Sequence, residues 1–447
     1  MSPISPVPPC VVHEDDDILV VSKPSGWETH STAPFSGEGI LDWLKHREPR
    51  WERLAVVHDL GRHESGLLVL ARTPEAHRAL AAQKIRMRGA ELSFRHPRTD
   101  RLVRLGPASG SAMPAHLRLR AAMIDGIATN AFRTVHGAAD GTPGLYGDRL
   151  GDWQLFEGED PPSAAAVAGA RSVLPGMDPP VGIYFRQLLR HVRRSTVADA
   201  SPKLVAGTAA PERFVVRENG VTFELSFNEG YSTGLFLDQR DNRRRLIHRH
   251  VAAGFPLYGN PTDTAPEVLN CFAYTCAFSV CAALGGARTT SLDLSRKYLD
   301  WGRRNFELNG LQPSSHDFIY GDVFDWLGRL LKKARAYDLI LLDPPTFSRS
   351  REGGDFRAEA DYGRLVTLAL PLLRRRGVLL ASANTARMSA TSFVGQVHAA
   401  IAEAGWRIVQ QHYAPQPPDF PVTREEPGYL KTIWLRLERD RESGQPA

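Results

Sequence analysis

The chain is expected to be an α/β protein whose carboxyl-terminal half forms a doubly wound, mostly parallel sheet. Two observations predict this. The apolar run Leu339-Ile340-Leu341-Leu342 has the pattern of a strand buried on both faces, and it stops in Asp343-Pro344-Pro345-Thr346-Phe347. Strand-like and helix-like segments also alternate from Arg213 to about Leu437. An acidic turn after a buried strand belongs at the carboxyl edge of such a sheet, where ligands of open α/β folds bind. Two prolines stiffen this loop and remove two backbone donors, leaving carbonyl oxygens and the Asp343 carboxylate to meet a ligand. The alternative for these residues alone is a plain strand-terminating turn.

The elements follow in order. Val268 to Cys271 reads as the first strand and Ala277 to Leu284 as a helix. Thr289 to Leu292 is the second strand, ending in Asp293; Ser295 then caps a helix that stops at Asn309-Gly310. Phe318 to Tyr320 is the third strand, followed by Asp322. Strand four ends at Asp343, strand five is Gly377 to Ser382, and Arg407 to His412 and Tyr429 to Leu437 fit two more. Upstream, short alternating strands run to about Pro107, and a mixed region with a helix from Ser163 to Val173 runs from Ala115 to Ser195. A Pro/Ala/Gly-rich linker is expected from Ala198 to Glu212, which gives domains at 1–110, 111–205 and 213–440.

Composition bounds the class. A chain of 447 residues expects two or three domains. Hydrophobic content of 42% and charged content of 23% are ordinary, and no apolar run reaches the ~20 residues of a membrane span. Met1 to Pro9 has neither a basic start nor an apolar core, so no signal peptide is expected. The net charge of +5 and pI near 9.0 suit a nucleic-acid partner without establishing one. Besides Cys10, Cys271, Cys276 and Cys281 recur every five residues, which is no zinc spacing, and their setting at a strand end, a loop and a helix reads as small buried hydrophobes. A cytoplasmic protein is expected. The histidines show no HxxxH or HxH spacing, and no metal is assigned.

Three acids thus stand at successive strand ends: Asp293, Asp322 and Asp343. A carboxylate after strand two can accept two ribose hydroxyls, and one after strand three can meet an adenine amino group. Helix N-capping is the competing role for each. The loop Phe272-Ala273-Tyr274-Thr275-Cys276-Ala277 is not G-x-G-x-x-G, so it offers no pyrophosphate cradle. That argues against a dinucleotide and for S-adenosylmethionine, which has no phosphate.

The third region resembles the catalytic domain of class I, S-adenosylmethionine-dependent methyltransferases of large-subunit ribosomal RNA. The matching segments are Thr233-Gly234-Leu235-Phe236-Leu237-Asp238-Gln239-Arg240, Val268 to Val280, Ser295 to Gly310 and Asp343 to Ser350. Thr129 to Arg133, Asp140 to Leu145 and Asp148-Arg149 are similar to the small α+β domain that precedes the catalytic one in the cytosine-C5 members. The resemblance implies a Rossmann-type fold with Asp293 on the ribose and Asp322 on the adenine. Asp238 to Arg240 would close over the methionine end. Phe236, Asn270, Tyr274, Thr275, Cys276, Ala277, Phe278, Leu294, Ser295 and Val323 complete the implied cofactor set, which Asp343 also borders. Asp343, Pro344, Pro345, Phe347 and Asn384 would position the base. Cys276 departs from the glycine usual in the family, so a side chain is expected beside the cofactor.

Cytosine C5 is a poor nucleophile and needs a thiolate added at C6. The cytosine-C5 members place that cysteine just after strand five, where this chain reads Ala381-Ser382-Ala383-Asn384-Thr385. Guanine N7 carries an in-plane lone pair and needs only alignment. The Asp-Pro-Pro-Thr-Phe-Ser segment with Asn384 is closest to the guanine-N7 members. An exocyclic amine stays open, because Asp343 and the Pro344 carbonyl can accept its protons.

Val12 to Gly26, His58 to Leu70 and Leu92 to Pro97 resemble segments of ribosomal-type pseudouridine synthases. The aspartate obligatory in that family falls on Gly61, and Asp59 is two residues away. The span from Leu70 to Leu92 is too short for the family's central sheet, so a truncated binding module is expected. Arg243-Arg244-Arg245 is a candidate for RNA phosphates or solvated surface, and Arg374-Arg375-Arg376 reads as solvated surface. The function expected is methylation of ribosomal RNA, as 23S RNA or an assembling large subunit, at a guanine nitrogen. A pseudouridine synthase and a catalytically silent RNA-binding protein are the rivals.

Overall fold

The computed structural model describes residues 7–83, 85, 87–88, 91–106, 113–188, 196–230, 232–259, 264–350 and 354–439. Most of the Met1–Pro9 stretch and the side chain of Ser350 lie outside these. The chain forms two compact units. One comprises Met1–Leu237, Ala252–Gly254 and Pro417–Pro427; the other comprises Asp238–Val251, Phe255–Gln416 and Gly428–Ala447.

In the first unit, Val11–Glu14, Ile18–Lys23, Gly66–Ala71 and Ala55–Val56 make a four-stranded antiparallel sheet in that order. Met87–Arg88, Glu91–Arg95 and Leu102–Leu105 make a three-stranded one. Farther along, a five-stranded sheet orders Lys203–Gly207, Gly182–Gln187, Trp153–Gly158, Leu145–Leu150 and Ala131–His136. Leu19, Trp43 and Leu70 from the amino-terminal region share one core with Leu117, Met123, Phe132 and Leu174. Those regions therefore bury their apolar faces against each other, and both lie within one unit.

Two expectations need correction here. The helix read from Ser163 to Val173 is only Ala164–Gly169, capped by Ser163, and none of its residues is buried. With no apolar face to pack, nothing carries it past Gly169. The stretch read as a linker holds the short helix Val197–Ala200 and the strand Lys203–Gly207. Antiparallel pairing with Gly182–Gln187 recruits that strand, so ladder hydrogen bonds outweigh its Pro/Ala/Gly-rich setting.

The second unit is a seven-stranded sheet: β1 (Glu267–Cys271), β2 (Arg288–Asp293), β3 (Asp317–Tyr320), β4 (Tyr337–Leu342), β5 (Leu373–Asn384), β6 (Trp406–Tyr413) and β7 (Leu430–Arg439). Its order is β3-β2-β1-β4-β5-β7-β6. The first five are mutually parallel, and β7 is antiparallel to both neighbours. All seven expected strands are present. The helices are α1 (Arg240–His248), α2 (Ala277–Leu284), α3 (Arg296–Leu308), α4 (Val323–Lys332), α5 (Ala358–Ala369) and α6 (Ala390–Glu403). Leu269, Ile340, Leu342, Tyr362, Leu379, Phe393 and Leu435 belong to a continuous core.

Register positions the edge that matters. Cys271 lies opposite Leu292 on one side and Leu342 on the other, and Asp293 lies opposite Tyr320. The residues after β1 to β4 therefore emerge at one level.

Candidate active site at the carboxyl edge of the sheet

After β1 the chain turns sharply, with Phe272, Tyr274 and Cys276 at φ of 60°, 48° and 61°. Left-handed backbone at three non-glycine residues is costly and needs support. Asp293 supplies it. One of its oxygens accepts the Tyr274 N–H at 2.8 Å and the other the Ser295 N–H at 2.8 Å. Burial raises the Asp293 carboxyl above its ordinary value, against the pull of these two N–H groups. The loop carries no Lys or Arg, which suits a ribose better than a phosphate.

Cys276 corrects an expectation. Its thiol does not line the cleft: the residue is fully buried. A Cβ placed on Gly302 of α3 would stand only 2.4 Å from its Sγ, so the thiol fills the hollow that this glycine leaves. The left-handed φ explains why glycine suits the position, while the side chain itself points into the protein. Asn270 and Thr275 likewise face inward. Asn270 donates to Ser279 Oγ at 2.9 Å, and the Thr275 carbonyl accepts from Asn305 Nδ2 at 2.9 Å. Phe278, Val323 and Pro344 are buried, whereas Tyr274, Ala277, Asp293, Leu294, Ser295 and Asp322 keep exposed surface.

The three strand-end acids divide by role. Asp322 is a helix cap: its side chain accepts from Asp325 N at the start of α4. Asp293 caps no helix, because Ser295 does that for α3. Asp343 precedes no helix at all.

Asp343 sits in a polar knot. Its Oδ2 accepts from Gln239 Nε2 at 3.2 Å, and the same amide donates to Ser382 Oγ at 2.8 Å. Burial pushes its carboxyl up to about 6, helped by the Asp238 carboxylate and opposed by Ser382, Arg243 and Gln239. The Tyr362 hydroxyl lies 2.9 Å from both the Leu342 and Ser382 carbonyl oxygens and accepts the Ser382 N–H at 2.7 Å. Tyr362 and Ser382 were not singled out as site residues from sequence. They reach Asp343 from segments far apart in the chain, and no local spacing marks them. Pro345, Thr346 and Asn384 are exposed, and Thr346 Oγ1 donates to the Asn384 carbonyl, tying the proline loop to the end of β5.

The basic clusters separate. Arg243, Arg244 and Arg245 are all buried in α1, which corrects both the phosphate-contact and solvated-surface readings. Arg245 Nε donates to the Val251 carbonyl at 2.8 Å. Asp238, Gln239 and Arg240 are buried too, and Phe236 belongs to the other unit, where it is exposed. Arg374 to Arg376 are exposed as expected, with Arg374 paired to Asp338 and Arg375 to Glu438 at 2.9 Å. In the first unit Asp15, Asp17 and His96 stand close enough together to suggest a metal. His96 Nδ1, however, accepts two backbone N–H groups, and Arg98 pairs with Asp17. A ring so held keeps its proton on Nε2, the atom a metal would need.

A family profile described as S-adenosylmethionine-dependent methyltransferase matches residues 185–436, and one described as RNA pseudouridylate synthase matches residues 17–90. The ribosomal RNA large subunit methyltransferase of Deinococcus radiodurans is 31% identical over 316 residues, 69% of this chain and 73% of that protein. Ribosomal RNA large subunit methyltransferase I of Klebsiella pneumoniae is 32% identical, over 69% of this chain and 74% of that one. A methyltransferase solved in complex with SAH superposes with a TM-score of 0.58 at 31% identity, covering 69% of this chain and 76% of that one.

The folded value of Asp343 lies above the ordinary 3.8, so the folded state holds that proton more tightly. The stability this brings is complete below about pH 4 and is lost as pH rises through about 6. Asp343→Asn is therefore expected to match wild type near pH 4 and to exceed it by about 1–3 kcal/mol above pH 7. Urea denaturation across that range measures it, and parallel curves would contradict it.

Proposed function

The chain belongs to the S-adenosylmethionine-dependent ribosomal RNA large subunit methyltransferases, with a pseudouridine-synthase-like region at its amino end, and we propose that it methylates a guanine at N7. The observation that carries the choice of a nitrogen over cytosine C5 concerns thiols. The chain has four cysteines, all buried, and none follows Cys281. Burial pushes Cys10 and Cys276 up to about 12 and raises Cys271 as well. No thiolate stands ready to add to cytosine C6.

S-adenosylmethionine supplies an electrophilic methyl group when bound. The chain's own residues bind and orient. We assign Asp293, whose oxygens are already aimed by two N–H groups, to the ribose, and Asp322, which also caps α4 through Oδ1, to the adenine, with Asp238 to Arg240 at the methionine end. Asp343, Pro345, Thr346 and Asn384 form the wall on which the base would lie, with Pro344 and Phe347 shaping it. A guanine becomes cationic on N7 methylation. Asp343, ionised at neutral pH, offers a fixed negative charge at the place where positive charge develops. Transfer to an exocyclic amine is the second reading, favoured by the same carboxylate acting as proton acceptor.

The amino-terminal module is proposed to hold RNA without isomerising uridine. Gly61 carries no carboxylate, and Glu64 beside it is engaged in the turn: its Oε2 accepts the Gly61 N–H at 2.6 Å. The substrate, 23S RNA or an assembling large subunit, would be met in the cytoplasm.

Trapping with RNA containing 5-fluorocytosine tests the choice of atom. No stable protein–RNA adduct is expected, and an adduct would sink the nitrogen assignment. Asp293→Ala is expected to weaken S-adenosylmethionine binding by about 1–3 kcal/mol, the cost of stranding polar partners. Unchanged calorimetric affinity would remove Asp293 from the cofactor site.

A further inference from the structure

A hydrogen-bonded chain that no motif covers runs behind Asp343. Trp434 of β7 donates its indole N–H to Asn242 Oδ1 at 2.9 Å. Asn242 of α1 donates its Nδ2 to Gln239 Oε1 at 2.7 Å. Gln239 Nε2 then meets Asp343 Oδ2 and Ser382 Oγ. Trp434, Asn242 and Gln239 are each at most 2% exposed.

The polarity of this chain is forced from one end. A side-chain amide can turn over, exchanging donor for acceptor, and its own shape sets no preference. An indole N–H can only donate. Trp434 therefore fixes Asn242 with its oxygen inward and its nitrogen toward Gln239. That in turn fixes Gln239 with its oxygen on Asn242 and its two N–H groups on Asp343 and Ser382. Were Gln239 reversed, its carbonyl oxygen would face the Asp343 carboxylate, and two acceptors would be opposed in a buried place.

We propose that Trp434 and Asn242 are positioning residues for methyl transfer: they lock the Gln239 amide with its donor edge on Asp343, holding that carboxylate as an ionised acceptor toward the base. The proposal rests on the reading of Asp343 given above. It concerns residues that touch neither cofactor nor base. The other groups bearing on Asp343 are Asp238 before α1, Arg243 on α1, Tyr362 on α5 and Ser382 on β5. All of them are unchanged in the variants below; Asn242→Asp adds a carboxylate that itself raises Asp343, so Trp434→Phe, which adds no charge, is the deciding variant. The relay thus supplies a hydrogen bond that favours the charged form, against burial and Asp238, which oppose it.

Asn242→Asp keeps the shape and still accepts from Trp434, but it cannot donate to Gln239, so the amide must turn over. The kcat for methylation of a 23S RNA transcript is expected to fall about twofold at pH 7 and about tenfold on the acidic limb, near pH 5. Its acidic limb should move up by about one pH unit, so that activity recovers in alkali, while KM for S-adenosylmethionine stays within about threefold. Trp434→Phe releases the polarity without imposing the reverse, and should shift the limb the same way by less. A readout independent of turnover covers a poorly folding variant. The pH at which Asp343-dependent stability is lost, taken as the difference from the matching Asp343→Asn protein, should rise in Trp434→Phe. An unchanged pH limb and an unchanged stability midpoint would overturn the relay. Asp343→Asn separates the two levels. If it leaves kcat intact, the reading of Asp343 falls and the relay with it; if it lowers kcat while Asn242→Asp does not, the relay alone falls.

Discussion

One buried hydroxyl holds the edge of the sheet in working order. Where β4 and β5 stop pairing, the Leu342 and Ser382 carbonyls would face the interior without ladder partners. Tyr362 Oη meets both and accepts the Ser382 N–H in return. Inside a core, an unmet backbone group costs about 1–3 kcal/mol, so this contact decides how far the two strands can part. Asp343 follows Leu342 directly, and Asn384 lies two residues beyond Ser382. The position of the acid, the proline loop and the wall they form all descend from this closure. Burial around Tyr362 also raises Asp343, since the same apolar packing that satisfies the strands desolvates the carboxylate beside them.

The loop after β1 solves a different problem. Three left-handed residues in five make the loop after β1 expensive, and Asp293 restores part of that cost by receiving two backbone donors. Cys276 shows how a residue larger than glycine is accommodated there. The hollow over Gly302 takes its side chain, so the sequence change is absorbed in the packing of α2 on α3 and leaves the ligand edge alone.

The second unit was readable from sequence because its signals are local. Apolar runs, Ser295 as a cap and Asn309-Gly310 as a stop each depend on a few neighbouring residues, and the ends of β2, β3 and β4 carry Asp293, Asp322 and Asp343. What sequence could not show was direction. Arg243 to Arg245 read as surface because a charge run is usually solvated, yet α1 lies where all three are buried. Asn270, Thr275 and Cys276 read as cofactor contacts because they sit at or just after the end of β1, but all three are buried. The relay from Trp434 through Asn242 joins residues about 190 positions apart, and only the folded sheet brings them together. In the first unit the expected linker became a strand because its partner, Gly182–Gln187, was invisible to composition.

The central claim is that Asp343 and its loop present a guanine nitrogen and no cysteine takes part. The most direct measurement is nucleoside analysis of 23S RNA methylated in vitro with labelled S-adenosylmethionine. Label recovered in 7-methylguanosine, and lost with Asp343→Asn, is the predicted result. Label recovered in 5-methylcytidine would contradict it.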